Sequence, residues 1–185
     1  STVNRLMDEY PDYIFLHTQP QQYDYIKHDY PEIFEHIRRR AAEGRWEPAG
    51  GMWVEADCNL ISGESMVRQL LYGTRFFEKE FGNKSTYLWL PDVFGYSAAL
   101  PQILKQSEID TFITTKISWN DQNMLPYDTF EWRGIDGSSV ITHFITTSSP
   151  GEHMYTYNGL TDAVAVKGVW NAYRNKELNT ELLIS

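Results

Sequence analysis

Thr86-Tyr87-Leu88-Trp89-Leu90-Pro91-Asp92-Val93-Phe94-Gly95-Tyr96-Ser97 is the stretch that decides the fold. Residues 86–90 have almost no polar face, the pattern of a strand covered on both sides in a parallel sheet. Ser97 reads as the cap of a following helix, with Pro101 in its first turn. Asp92 therefore sits at the carboxyl end of a buried strand with a helix start just beyond, and in barrels of alternating strands and helices that end carries the site. Position alone leaves two roles open to Asp92: capping backbone amides, or chemistry. With Ser97 assigned to the cap, Asp92 is free to coordinate a metal or to attack an electrophile.

The same alternation continues outward in both directions. Upstream, residues 1–9 have the spacing of an amphipathic helix and residues 13–17 form a short β-rich run. Asp29-Tyr30-Pro31 then reads as a cap with proline in the first turn, opening a helix whose Ile33, Phe34, Ile37 and Ala41 share a face and which stops at Gly44. Residues 45–48 are extended. Ser62 caps a long helix with Val67, Leu70, Leu71, Thr74, Phe77 and Phe81 aligned, ending at Gly82-Asn83. Downstream, residues 112–115 form a strand. Residues 129–132 and 139–145 flank Gly134-Ile135-Asp136-Gly137 as a hairpin, and Thr161 opens a helix carrying Val166, Val169, Trp170 and Tyr173. No repeat or linker interrupts the chain, so the pattern predicts one α/β domain built on a parallel sheet or barrel. Residues 182–184 read as the start of a further strand, and both ends are expected to be cut from a longer domain.

Composition narrows the function. The 185 residues are 42% apolar and 22% charged, as in an ordinary globular protein. Sixteen basic against 25 acidic residues give a net charge of −9, which argues against a nucleic-acid partner. The one basic run, Arg38-Arg39-Arg40, fits a solvated helix end. Six Trp, twelve Tyr and nine Phe exceed what a core needs and suit stacking on sugar rings, although large cores account for them as well. Cys58 is the single cysteine, so no internal disulfide is possible. No apolar run approaches the length of a membrane span, which takes about 20 residues. A reducing, cytoplasmic setting with no membrane partner is expected.

Two further acidic sets stand out. In residues 50–59, alternation places Trp53, Glu55 and Asp57 on one side, where they would bind sugar hydroxyls or simply line a solvated loop. Asp121 and Asp128, around Trp119-Asn120, form a third acidic loop or plain turns. His17, His28, His36, His143 and His153 show neither H-x-x-x-H nor H-x-D spacing, and no nucleophile elbow, phosphate loop or dinucleotide fingerprint is present.

From Trp89-Leu90-Pro91-Asp92-Val93-Phe94-Gly95-Tyr96-Ser97 through Ala98-Ala99-Leu100-Pro101-Gln102-Ile103, the sequence resembles glycoside hydrolase family 38, the retaining α-mannosidases. The likeness extends through Thr114-Thr115-Lys116-Ile117-Ser118-Trp119-Asn120, Pro126-Tyr127-Asp128-Thr129-Phe130 and Gly134-Ile135-Asp136-Gly137. Upstream it takes in Gly44-Arg45-Trp46-Glu47-Pro48 and Gly50-Gly51-Met52-Trp53-Val54-Glu55. The resemblance implies that residues 1–185 are the middle portion of one catalytic domain, a parallel-stranded (β/α) barrel with about seven strands when whole. It implies that Asp92 is the nucleophile, forming a covalent glycosyl-enzyme ester on terminal α-D-mannosides, and also a ligand of one divalent metal, usually zinc. Phe94 matches a pocket-lining aromatic, and Lys116 stands where some members carry arginine, which would bind bidentately as lysine cannot. Phe94, Lys116, Trp53, Glu55, Asp57 and Trp119 are the expected contacts to a mannose-containing oligosaccharide.

Retaining hydrolysis needs a second carboxylic acid about 5 Å from the nucleophile. The resemblance puts that acid beyond Ser185, an H-x-D metal motif before residue 1, and a further histidine ligand beyond the last residue. The isolated chain is thus expected to be inactive and, with barrel edges left open, to self-associate. In the family pattern glycine is commoner where Glu108 stands, a difference that bears on a turn. Two rival functions share these residues: a metal-dependent carbohydrate deacetylase using Asp92 as ligand and general base, and a non-catalytic sugar-binding segment.

Overall fold

The structure, a computed structural model, describes residues 2–118, 122, 123, 125–146 and 162–177. They divide into two compact units, the first within Ser1–Ala56 and Ser62–Trp89 and the second within Asp57–Ile61 and Leu90–Ser185.

The first unit contains α1 (Thr2–Glu9), β1 (Phe15–His17), α2 (Pro20–Asp29), α3 (Pro31–Ala42), β2 (Trp46–Pro48), α4 (Gly63–Phe81) and β3 (Tyr87–Trp89). Parallel strands need a crossover connection. Helices α2 and α3 supply it between β1 and β2, which pair Phe15 with Trp46 and His17 with Pro48. Met7, Tyr23, Phe34, Ile37, Trp46 and Phe77 form the core. Tyr23 is buried but loses no hydrogen bond: its hydroxyl accepts from Trp46 Nε1 and donates to the His17 carbonyl, both at 2.8 Å. Burial raises its pKa above the ordinary tyrosine value.

Three local expectations in this unit are corrected. Asp29 does not cap α3; it is the last residue of α2, a helix the apolar spacing did not reveal. Pro31 drives the residue before it out of the helical region. Tyr30 (φ −141°, ψ 62°) therefore separates two successive helices and makes no side-chain cap. On α4, Ser62 Oγ does accept the Ser65 N–H at 3.2 Å, as expected of a cap. Gly82 closes that helix at φ 66°, the left-handed conformation glycine takes without strain. The buried face, however, is Met66, Leu70, Gly73 and Phe77, leaving Val67 and Leu71 exposed. Gly73 belongs to that face because the backbone of residues 51–53 presses on it: an added Cβ would lie 2.2 Å from Gly51 O. β3 is shorter than residues 86–90, with Leu88 fully buried and Tyr87 and Trp89 half-buried.

The second unit contains α5 (Leu100–Gln106), β4 (Thr111–Thr114), β5 (Thr129–Arg133), β6 (Ser139–Phe144) and α6 (Ala163–Ala172). β4 runs parallel to β6, with Phe112 opposite Thr142, and β5 returns antiparallel to β6, with Trp132 opposite Val140. The hairpin turns where the sequence places it. Gly137 takes φ 87°. Asp136 accepts both the Ser138 N–H (3.0 Å) and hydroxyl (2.6 Å), and these bonds lower its pKa. The parallel pairs β1/β2 and β4/β6, the first joined through α2 and α3, bear out the α/β reading. Two caps move: Ala99, not Ser97, is the N-cap of α5, and Ser97 Oγ instead accepts the Ala99 N–H at 3.2 Å. Asp162 caps α6 by accepting the Ala165 N–H at 2.7 Å, while Thr161 and residues 182–184 lie outside the described residues. Among the described residues no helix is long and apolar enough to cross a membrane.

Candidate active site

The Leu90 N–H still joins the sheet, donating to Ile113 O at 3.1 Å, but Pro91 has no N–H and ends the ladder. The chain then turns through residues 91–96. Gly95 takes φ 147°, and a Cβ there would meet Asn59 Nδ2 at 2.3 Å. The backbone conformation favours glycine at that position, and any side chain there would also have to displace the Asn59 amide. The turn presents Asp92 half-exposed, its side chain 51% accessible, beside Lys116, whose side chain is only 3% accessible. Lys116 Nζ forms an ion pair with Asp92 Oδ1 and lies 4.5 Å from the centroid of the Phe94 ring. A buried ammonium thus meets a carboxylate on one side and an aromatic face on the other, both of which favour its charge. Phe94 itself is 71% exposed and offers its ring to solvent. The structure therefore brings together Asp92, Phe94 and Lys116.

Of the other expected contacts, Trp53 and Glu55 lie in the first unit and Asp57 in the second. Gly50 and Gly51 both take positive φ, which breaks any strand alternation through residues 50–59. Trp53 packs edge-on against Phe76, with centroids 5.6 Å apart, and Glu55 accepts the Thr18 hydroxyl at 3.1 Å. Asp57 belongs to the other compact unit, where its Oδ1 accepts the Asn59 and Leu60 N–H groups at 2.8 and 3.0 Å. Trp119, Asn120, Asp121 and His153 lie outside the described residues.

Asp128 is no plain turn residue. It is fully buried, accepts the Arg174 N–H at 2.8 Å and lies 3.6 Å from Arg174 Nε, while Asn175 Oδ1 accepts the N–H groups of Asp128 and Thr129. Arg174 lies 46 residues downstream, a pairing no local spacing signals. Cys58 is buried, and burial, with Asp57 adding, pushes its thiol up to about 12. It is no nucleophile near neutral pH. His17 packs edge-on to Tyr23 at 5.0 Å, and burial lowers its pKa despite a hydrogen bond with Gln22 that works the other way.

For a metal, Asp92 offers a half-exposed carboxylate of the hard-oxygen type. Among the described residues no group of three or more His, Cys, Asp or Glu is placed to hold an ion. Asp92 fits as one donor of a set, not as a site by itself.

Known proteins share this sequence and fold. The chain matches the glycosyl hydrolases family 38 N-terminal domain over residues 1–185. It is 49% identical over 179 residues to alpha-mannosidase G of Dictyostelium discoideum, covering 97% of this chain and 16% of that protein. It is 48% identical over 150 residues to human alpha-mannosidase 2C1, covering 81% of this chain and 14% of that one. A crystal structure of a glycosyl hydrolase family 38 protein from Enterococcus faecalis has the same fold, with a TM-score of 0.67 at 19% identity over 99% of this chain and 20% of that one. The chain thus spans only a minor part of the length of the curated relatives it matches.

Proposed function

Because this chain belongs to glycosyl hydrolase family 38, we propose that it carries the nucleophile of a retaining α-mannosidase and that the nucleophile is Asp92. The observation that supports this most directly is the pairing of a half-exposed Asp92 with a buried Lys116. In the proposed reaction a carboxylate oxygen of Asp92 bonds to the anomeric carbon of a terminal α-D-mannoside as the glycosidic C–O bond breaks. The departing oxygen takes a proton from a second carboxylic acid, which the family resemblance puts outside this chain. Water then cleaves the glycosyl ester, so retention follows from two inversions. Lys116 keeps Asp92 aimed, and Phe94 walls the sugar on its exposed side. Trp53, Glu55, Asp57 and Trp119 remain candidate sugar contacts. Asp92 would also be one ligand of a divalent metal, zinc by family resemblance, which when bound would hold hydroxyls of the sugar.

The test is a mechanism-based α-mannosyl fluorosugar applied to the full-length gene product, followed by peptide mapping. The label is expected on Asp92. A label on another carboxylate would overturn the assignment. Absence of any adduct in a protein that deacetylates sugars would favour the deacetylase, and sugar binding unchanged in Asp92→Ala and in chelator would favour a binding segment.

A further inference from the structure

Pro91 leaves two carbonyls, those of Leu90 and Pro91, at the point where the strand ladder stops. These belong to the two peptide units immediately before Asp92, and both are taken by side-chain hydroxyls. Tyr96 donates its O–H to Leu90 O at 2.9 Å, and the Thr115 hydroxyl donates to Pro91 O. A tyrosine hydroxyl carries one proton. With that proton on Leu90 O, the 2.7 Å contact between Tyr96 and Thr114 Oγ1 has Thr114 as donor. Thr114 Oγ1 in turn accepts the backbone N–H of Lys116 at 3.3 Å. A directed chain therefore runs from the Lys116 N–H through Thr114 and Tyr96 to the Leu90 carbonyl. The Lys116 ammonium meets Asp92 from the other side. The two ends of the ion pair are thus linked a second time, through these hydrogen bonds and the backbone from Leu90 to Asp92, with the Thr115 bond to Pro91 O beside them.

We infer that Tyr96 and Thr115 are positioning residues that hold Asp92 in attack geometry by fixing the two peptide units before it. The inference rests on the nucleophile reading. The role works through the backbone carbonyls and requires no contact of either hydroxyl with the reacting atoms. Each restrains a carbonyl that would otherwise turn toward water, and rotation about either peptide unit swings the Asp92 carboxylate. Displacement of a reacting group by about 1 Å costs on the order of 10²-fold in rate. Loss of either hydroxyl is thus felt in the chemical step, while the sugar still meets the same side chains.

The experiment uses the full-length protein and compares wild type, Asp92→Asn, Tyr96→Phe, Thr115→Val and Thr115→Ser. The rate of fluorosugar labelling, its final stoichiometry, kcat and KM are measured for each. Stoichiometry counts folded sites, so it separates misfolding from misplacement. Tyr96→Phe and Thr115→Val are expected to label to full stoichiometry but about 30- to 100-fold more slowly, with kcat falling in parallel and KM within about twofold. Thr115→Ser keeps the hydroxyl and is expected within about threefold of wild type. Wild-type rates in both hydroxyl deletions would overturn the inference while leaving the nucleophile intact, as would a loss in Thr115→Val that Thr115→Ser fails to recover. Failure of the wild type to label at all would overturn the nucleophile reading, and the positioning role with it.

Discussion

Lys116 reaches Asp92 from a buried position, with its ammonium held between the Asp92 carboxylate and the face of Phe94. An exposed ion pair contributes little, but a cation with 3% of its side chain accessible holds its partner in one place. Lys116→Met keeps the length and removes the charge. On the proposed function it is expected to lower kcat/KM for an activated α-mannoside about 100-fold in the full-length protein, or roughly 2.7 kcal/mol. Steady-state kinetics on an aryl α-mannoside reads this, and an unchanged value would remove Lys116 from the site.

Gly73 has no room for a side chain. An alanine Cβ would sit 2.2 Å from Gly51 O and 2.5 Å from the Met52 carbonyl carbon, and both obstacles are backbone. Gly73→Ala gains helix propensity but must push α4 away from residues 51–53. The net expectation is destabilisation by about 3 kcal/mol, read as a lower urea midpoint.

Glu108 occupies the left-handed position after α5, at φ 60°, where the Ile109 N–H returns to Leu104 O (2.9 Å) and the Glu108 N–H to Lys105 O (3.1 Å). This is the closing motif that glycine fills without strain. Glu108→Gly is expected to stabilise by about 1 kcal/mol, against the usual sign for glycine. A fall in melting temperature would show that other contacts of Glu108 outweigh the strain.

His17 gives the fold a pH dependence of known sign. Burial lowers its pKa in the folded state below the ordinary value of 6.5. Between that lowered value and the ordinary one, the unfolded chain binds more protons than the folded one. Stability is therefore expected to be complete above pH 6.5 and to fall as pH drops below it. Urea midpoints measured from pH 7.5 to 5 should decline, and His17→Asn, which does not titrate, should flatten that decline. An identical slope in the variant would assign the effect to other groups.

Where a pattern is local, the sequence is readable. Ser62 and Gly82 bound α4, Asp136 and Gly137 close the hairpin, and Asp92 follows a strand, because caps and turns depend on a few adjacent residues. Tertiary packing overrode local spacing elsewhere. Val67 and Leu71 fit a helical apolar stripe, yet Gly73 is on the buried face because a neighbouring backbone needs the space. Asp29 resembled a cap until a proline two residues on made it the end of another helix.

The sequence by itself determined the α/β class, the family and the identity of Asp92 as the residue to watch, since each rests on residues contiguous in the chain. Only the tertiary structure decided what surrounds that carboxylate. Thr115 lies 24 residues from Pro91, Lys116 is as far from Asp92, and Asp128 meets Arg174 across 46 residues. Such pairings follow from strand register and from where a proline stops a ladder, and hydrogen-bond partners at that separation leave no periodic trace in the sequence.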